Sequence, residues 1–406
     1  MQKVKTIKGG VCSAKGFRAA GVGAEIKYKG RNDVALIVAD APCVAAAVFT
    51  TNKVAAAPVV YDREALVPGR VQAILANSGC ANACTGADGL RDARVSALAT
   101  AGELGIDPRL VLVASTGVIG RRLPLDRLLA GMKSAARALG RTCEHGLAAE
   151  KAVMTTDTRP KQACAKVTIG GKTVTVGGMA KGSGMIEPNM ATMLGFVTTD
   201  AAISRAMLKR ALGLALAKSF NRVVVDGDES TNDSLFLLAS GKAGNAPIVR
   251  AGADFDAFRA ALEAVCVSLA KQMATDGEGA TKFVTVTVRG AKTEKDAARA
   301  ARAVAKSPLA KTSWFGRDPN WGRVLAAVGY SGAAVEDMKA EVFYDRVWAF
   351  RRGRIADARQ LAKLAAVMEK DAFTVTVDLH LGAGEASVYT CDFSLDYVHI
   401  NADYTT

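Results

Sequence analysis

The stretch KGSGMIEPNMATMLGFVTTD (181–200) decides how this chain is read. A glycine-rich turn, GGMAKGSGM (177–185), leads through Pro188 to Ala191-Thr192, and an apolar run from about Met193 then reads as a buried strand. A small residue followed by Thr at the head of a strand is where an N-terminal nucleophile would sit. Thr Oγ can attack the carbonyl of its own preceding peptide bond, and the ester so formed hydrolyses. Thr192 then becomes a new N-terminus. Its α-amine, with an ordinary pKa of about 8, can act as general base for the adjacent hydroxyl. One residue supplies nucleophile and base, and no His is needed. A Thr opening a strand is equally a β-branched residue in a favoured setting, so this segment alone leaves both readings open.

Acyl transfer also needs donors for an oxyanion. Upstream, Leu110 to Ala114 reads as a strand running into Ser115-Thr116-Gly117, whose backbone N–H groups and Thr hydroxyl could donate. Taken alone, the same three residues are an ordinary turn. Other catalytic patterns are missing. The chain has only three histidines, His145, His380 and His399, and contains no HExxH, GxSxG or GxxxxGK[ST]. GVGAEI (21–26) lacks the third glycine of a dinucleotide fingerprint.

Further out, helical and β-rich patterns alternate, which suits an α/β fold. Val34 to Ala39, ended by Asp40, and Gln72 to Ala76 read as buried strands. Asp92 to Leu104 reads as a helix stopped by Gly105, and Leu125 to Leu139 as a helix closed by Gly140. Ala163 to Ile169 and Lys172 to Val176 alternate around Gly170-Gly171 as a hairpin. Ser204 caps a helix to about Lys218, Asn221 to Val225 reads as a strand, and a long helix spans about 254–273. Lys282 to Arg289, Phe373 to Leu381 and Glu385 to Tyr389 read as strands, with a helix over 295–306. A boundary near residue 290 divides a larger 1–290 unit from a smaller 291–406 unit.

Composition narrows the partners. At 406 residues the chain has room for about two or three domains. Lys and Arg number 53 against 39 Asp and Glu, a formal charge of +14, but the basic residues are dispersed. The densest cluster, Arg346, Arg351, Arg352, Arg354 and Arg359, has no interleaved aromatics, so nucleic acid is not the expected partner. No run approaches roughly 18 apolar residues, and the N-terminal MQKVKTIKGGVCSAKGF lacks an apolar signal core. Eight Cys are scattered, with only Cys80 and Cys84 close together, which suits reduced thiols, a cytoplasmic location and no metal site.

Together these pieces resemble the ornithine acetyltransferase (glutamate N-acetyltransferase) family of the cyclic arginine pathway. The resemblance runs along essentially the whole chain. It is carried by KGFRAAGVGAEIK (15–27), GRNDVALIVAD (30–40), VFTTNKVAAAPV (48–59), ANSGCANACTG (76–86), STGVIG (115–120), MTTDT (154–158), GGMAKGSGMIEPNMATML (177–194), DGDESTNDS (226–234), ATDGEGATK (274–282), GRDPNWGR (316–323) and INADYTT (400–406).

The resemblance implies a four-layer αββα sandwich of the self-cleaving N-terminal-nucleophile type, with a smaller C-terminal α/β domain whose tail reaches the active site. It implies self-cleavage between Ala191 and Thr192 into an α chain 1–191 and a β chain 192–406 that stay together, in an oligomer of such αβ units. Thr192 is then the nucleophile, and Thr116 and Gly117 stabilise the oxyanion. Thr155, Lys181, Thr192, Glu278, Asn401 and Thr406 bind substrate. The implied reaction moves acetyl from N-acetylornithine to glutamate, with acetyl-CoA as a further donor in bifunctional members and no cofactor. Alternatives on the same fold are a monofunctional transferase, a hydrolase, or a paralogue serving secondary metabolism. A basic nucleic-acid binder would leave the MATML and STG segments without a role.

Overall fold

The structure, a computed structural model, describes residues 4–187 and 193–403. The chain enters through β1 (Lys5–Ile7) and β2 (Phe17–Val22) before β3 (Val34–Phe49), a strand of 16 residues that organises everything after it. Then come α1 (Ala57–Ala65), β4 (Arg70–Asn77), α2 (Gly86–Leu104), β5 (Val111–Ser115), α3 (Leu125–Arg137) and α4 (Cys143–Val153). The hairpin β6 (Gln162–Ile169) and β7 (Lys172–Lys181) leads on to β8 (Leu194–Thr199), α5 (Arg205–Lys218), β9 (Ser234–Ala239) and α6 (Ala253–Thr275).

The expected strand at 34–39 is the first third of β3. Residues Val34–Ala39 pair with β2, and Val34–Val38 also pair with β4. The register to β4 then shifts between Val38 and Cys43, pairing with β4 ends at Val44, and Val44–Phe49 pair with β9. Asp40 sits at this irregularity, held by Arg141 at 2.7 Å and Lys242 at 2.7 Å. Hydrogen bonding to Arg141 is the main reason its carboxyl is held at about 2. Asp40 looks like a stop in the sequence; here it marks a bulge at which one strand passes between two half-sheets.

The nine strands form one sheet in the order β1-β6-β7-β8-β9-β3-β4-β5, with β2 on β3, and it folds back on itself. Side-chain alternation shows how. Ile37, Ile74, Leu112, Phe196, Phe236 and Leu238 face inward and share a core between the two halves, where Phe196 stacks on Phe236 at 5.5 Å. Their neighbours Leu36, Leu75 and Val113 face the other way, onto α2 and α3. Val197, Leu235 and Leu237 face α5 and α6. The layers are therefore helix, sheet, sheet, helix.

A second sheet carries the rest: β10 (Phe283–Ala291), α7 (Glu294–Lys306), α8 (Pro308–Phe315), α9 (Trp321–Tyr330), β11 (Glu341–Tyr344), β12 (Val347–Arg351), β13 (Arg354–Ile355), α10 (Ala358–Met368), β14 (Ala372–Asp378), β15 (Gly384–Cys391) and α11 (Leu395–Asp403). Six strands run β13-β12-β11-β14-β10-β15, with their own core around Trp314, Val286 and Val375. Strand β10 belongs to this sheet and crosses residue 290. After β15, Asp392 is fully buried and accepts from Thr281 N–H at 2.8 Å and Lys282 N–H at 2.9 Å, so α11 is anchored against the 276–281 turn.

Three local expectations change. Residues 221–225 are not a strand. A short turn over Phe220–Arg222 precedes an extended Val223–Val225, which bonds to Tyr389 and Ile186 rather than to a sheet neighbour on each side. Gly140 does not close a helix; it exchanges backbone bonds with Ala19 at 2.9 and 3.1 Å, two residues beyond the helix C-cap at Ala138. The glycines at 177 and 178 lie inside β7. A Cβ on Gly177 would meet the Gly10 carbonyl oxygen at 2.2 Å, so close backbone approach, not a turn, demands glycine there.

Candidate active site

Several strand ends converge on one pocket. The C-terminal ends of β5 and β7, the segment entering β9, the turn after α6 and the end of α11 all reach it. Its cavity volume is about 120 Å³. Thr116, Gly117, Thr155, Lys181, Glu278 and Asn401 all line it. These are six of the residues the resemblance implies, and they come from segments as far apart as 116 and 401. Ala191, Thr192 and Thr406 lie outside the described residues.

The turn at Thr116-Gly117 is built for close approach. Thr116 N–H donates to the Asn77 carbonyl at 3.0 Å. Gly117 adopts φ +128°, and a Cβ there would lie 2.5 Å from the Gly79 carbonyl carbon and 2.7 Å from the Cys80 nitrogen. Only glycine fits. Among the described residues the Gly117 N–H has no acceptor, so it remains available to a ligand. The Thr116 hydroxyl accepts from Lys181 Nζ at 3.5 Å, which leaves its own hydrogen to donate elsewhere. A free amide and a free hydroxyl on adjacent residues are the parts of an oxyanion hole.

Lys181 ends β7 and is 3 % exposed along its side chain, with Asp157 Oδ2 at 3.9 Å. Burial pulls its pKa below the usual lysine range, and the Asp157 charge opposes that. For Asp157 burial pushes the other way, but Lys181 and Lys161 outweigh it and hold the carboxyl at about 2. On the opposite wall, Asn401 Nδ2 donates to Glu278 Oε2 at 2.9 Å, and this bond carries the C-terminal helix to the pocket. Gly184 lets Glu278 close over the loop: a Cβ there would meet the Glu278 carboxyl at 2.3 Å. Asp226 holds that loop from below, accepting from Met185 N–H at 2.5 Å and Ile186 N–H at 2.8 Å. Burial raises the Asp226 carboxyl to about 6. The pocket thus offers a cation, an anion and two groups able to donate to an oxyanion, a set that could meet a substrate with both an ammonium and a carboxylate.

Some functional residues were missed by sequence reasoning, although they lie inside segments already quoted. Asn232, in DGDESTNDS, lines the pocket and donates to the Ala81 carbonyl at 2.6 Å and the Ser115 carbonyl at 2.8 Å, clamping the oxyanion turn. Thr156, which lines the pocket, shares a hydrogen bond of 2.7 Å with Ser183. Asp233, fully buried, accepts from Met193 N–H at 2.7 Å, and burial lifts its carboxyl well above the usual range.

Removing the Thr116 hydroxyl takes one of the two groups able to donate to an oxyanion. Thr116→Ala is therefore expected to slow acyl transfer by about 10²–10³-fold. Steady-state kcat on the purified protein checks this, and unchanged turnover would exclude Thr116 from that role.

Known proteins resemble the chain along nearly its whole length. The chain matches the model of the ArgJ family over residues 18–406. It is 52% identical to the arginine biosynthesis bifunctional protein ArgJ of Symbiobacterium thermophilum over 402 residues, covering 98% of this chain and 99% of that protein. It is also 52% identical to the bifunctional ArgJ of Geobacter sulfurreducens over 395 residues, covering 97% of this chain and all of that protein. Among solved structures, the ornithine acetyltransferase of Mycobacterium tuberculosis complexed with ornithine is 40% identical, covers 47% of this chain and 100% of that chain, and superposes with a TM-score of 0.43.

Proposed function

The chain belongs to the ArgJ family, and from that premise we propose that this pocket carries acetyl from N-acetylornithine to glutamate through an ester on Thr192. The enzyme is a bifunctional acetyltransferase of arginine biosynthesis: it makes N-acetylglutamate with N-acetylornithine or acetyl-CoA as donor. The observation that carries the reading is the meeting of Thr116, Gly117, Thr155, Lys181, Glu278 and Asn401 on one cavity.

The chemistry follows from those parts. Self-cleavage before Thr192 frees its α-amine. Thr192 Oγ attacks the acetyl carbonyl of N-acetylornithine while the α-amine takes the hydroxyl proton. The carbonyl oxygen becomes an oxyanion, met by the Thr116 hydroxyl and the Gly117 N–H. When the intermediate collapses, the C–N bond breaks, the proton returns to the leaving amine, and ornithine departs. Acetyl remains on Thr192. The amine of glutamate then attacks this ester, and the same steps run in reverse to give N-acetylglutamate.

Donor product and acceptor share an α-amino acid framework, so one site serves both. Lys181 faces the carboxylate; Glu278, with Asn401, faces the ammonium and side chain, and Thr406 is assigned to the same binding set. The α-amine, the Thr hydroxyl and the two oxyanion donors all come from the chain itself, and acetyl-CoA enters as a co-substrate. The two chain pieces remain associated and act in the cytoplasm.

Intact-mass analysis after incubation with N-acetylornithine alone tests this. The expected result is one added acetyl on the piece beginning at Thr192, lost again when glutamate is supplied. No acetylated species, with turnover proceeding normally, would replace the two-step scheme with direct transfer.

A further inference from the structure

A buried row of alternating charge, Lys181–Asp157–Lys161–Asp276, runs from the pocket wall into the protein. Asp157 is its pivot, with a side chain 0% exposed. Its Oδ1 accepts from Lys161 Nζ at 2.7 Å and Gly182 N–H at 2.7 Å, and its Oδ2 accepts from Thr155 N–H at 3.0 Å. Lys181 Nζ stands 3.9 Å from Oδ2, inside ion-pair range and beyond a hydrogen bond. Beyond Lys161, Asp276 accepts from Lys161 Nζ at 2.6 Å and from the Thr158 and Arg159 backbone N–H groups.

This spacing separates two effects. Coulomb attraction falls slowly with distance, whereas a hydrogen bond is lost within about half an ångström. Lys181 therefore feels a full counter-charge without giving up its N–H groups to it. Among the described residues its one hydrogen bond is the long contact to Thr116 Oγ1.

Building on the acetyl-transfer reading above, we infer that Asp157 is a positioning residue that keeps Lys181 charged yet free to bond Thr116 and substrate, and that Lys161 sets how much of the Asp157 charge Lys181 receives. The same carboxylate fixes the backbone of Thr155 and Gly182, so it aligns two pocket walls as well.

The electrostatics agree in sign. Burial lowers the Lys181 pKa, Asp157 raises it, Lys161 lowers it, and Glu278 and Asp233 raise it. Glu150 is the remaining acid facing this row. Burial is the main cause that raises its carboxyl well above the usual range.

The test is the pH profile of kcat/KM for acetyl exchange by the processed enzyme. Asp157→Asn removes the anion, so the alkaline limb should move to lower pH, by about one unit. Lys161→Met removes the competing cation, so the alkaline limb should move to higher pH. Substrates are the same in both cases, so the difference reports the protein. Opposite shifts support the inference. Unmoved limbs, shifts in one direction, or a loss equal at every pH overturn it. If Asp157→Asn does not fold, Lys161→Met decides alone: a limb at higher pH supports the inference, and one unmoved or lowered overturns it. A wild-type enzyme that forms no acetyl-enzyme would bring down the acetyl-transfer reading and this inference together, whereas a competent wild type with unmoved limbs removes only this inference.

Discussion

Thr192→Ala is expected to give one uncut chain of 42.2 kDa with no acetyl exchange. Both reactions proposed for this protein begin with the same oxygen. Without Oγ, the Ala191 carbonyl has no attacker and the acetyl group has no acceptor atom. The wild type should instead show two pieces of roughly 20 and 22 kDa, the heavier one starting at Thr192. Loss of a nucleophile in comparable acyl-transfer enzymes costs on the order of 10⁶ in kcat. Thr192→Ser keeps an Oγ and should restore both the cut and measurable turnover, which separates lost chemistry from lost folding. Two normal pieces from Thr192→Ala would end the nucleophile assignment.

Gly117→Ala should be the next most damaging change. The new methyl would lie 2.5 Å from the Gly79 carbonyl carbon and 2.7 Å from the Cys80 nitrogen, and both obstacles are backbone. The residue also sits at φ +128°, where a side chain is strained by about 1–3 kcal/mol. Relief requires the Thr116-Gly117 turn to move away from the loop at 79–80, and the oxyanion donors move with it. A fall in kcat of at least about 10²–10³-fold follows, accompanied by a lower melting temperature. The two readouts matter together. A lower melting temperature with normal kcat would make the glycine purely structural.

Much of this site could be read before any coordinates, because its residues lie in short segments at the ends of apolar runs. Thr116 follows a continuous buried strand, and Lys181 ends a glycine-dense one. What could not be read is what depends on distant partners. Asp40 looks like the end of a strand because its neutralising cations, Arg141 and Lys242, lie about a hundred and two hundred positions away. Only folding reveals that β3 continues and ties two half-sheets together. Asp157 is likewise visible in MTTDT, but its importance arises from Lys161, Lys181 and Gly182 meeting around one carboxylate. Asn232 reads as a polar loop residue until Ala81 and Ser115 are brought under its amide. The strand expected at 221–225 has the right apolar content, yet its neighbours offer only single bridging bonds, so no ladder forms.

The order of strands also decides the fate of a severed chain. A cut between Ala191 and Thr192 falls between β7 and β8, which are adjacent in the sheet and zipped over Val176–Lys181 and Leu194–Thr199. The other side of the seam is β9, which is locked to β3 of the first piece over Val44–Phe49. Each fragment is thus interleaved with the other, strand between strands, and neither holds a finished sheet by itself. Parting them would bare raw, sticky edges on both, as costly as unravelling the fold. A break there would therefore release an end without releasing a subunit, and two halves produced as separate messages would have to be made together to stay soluble.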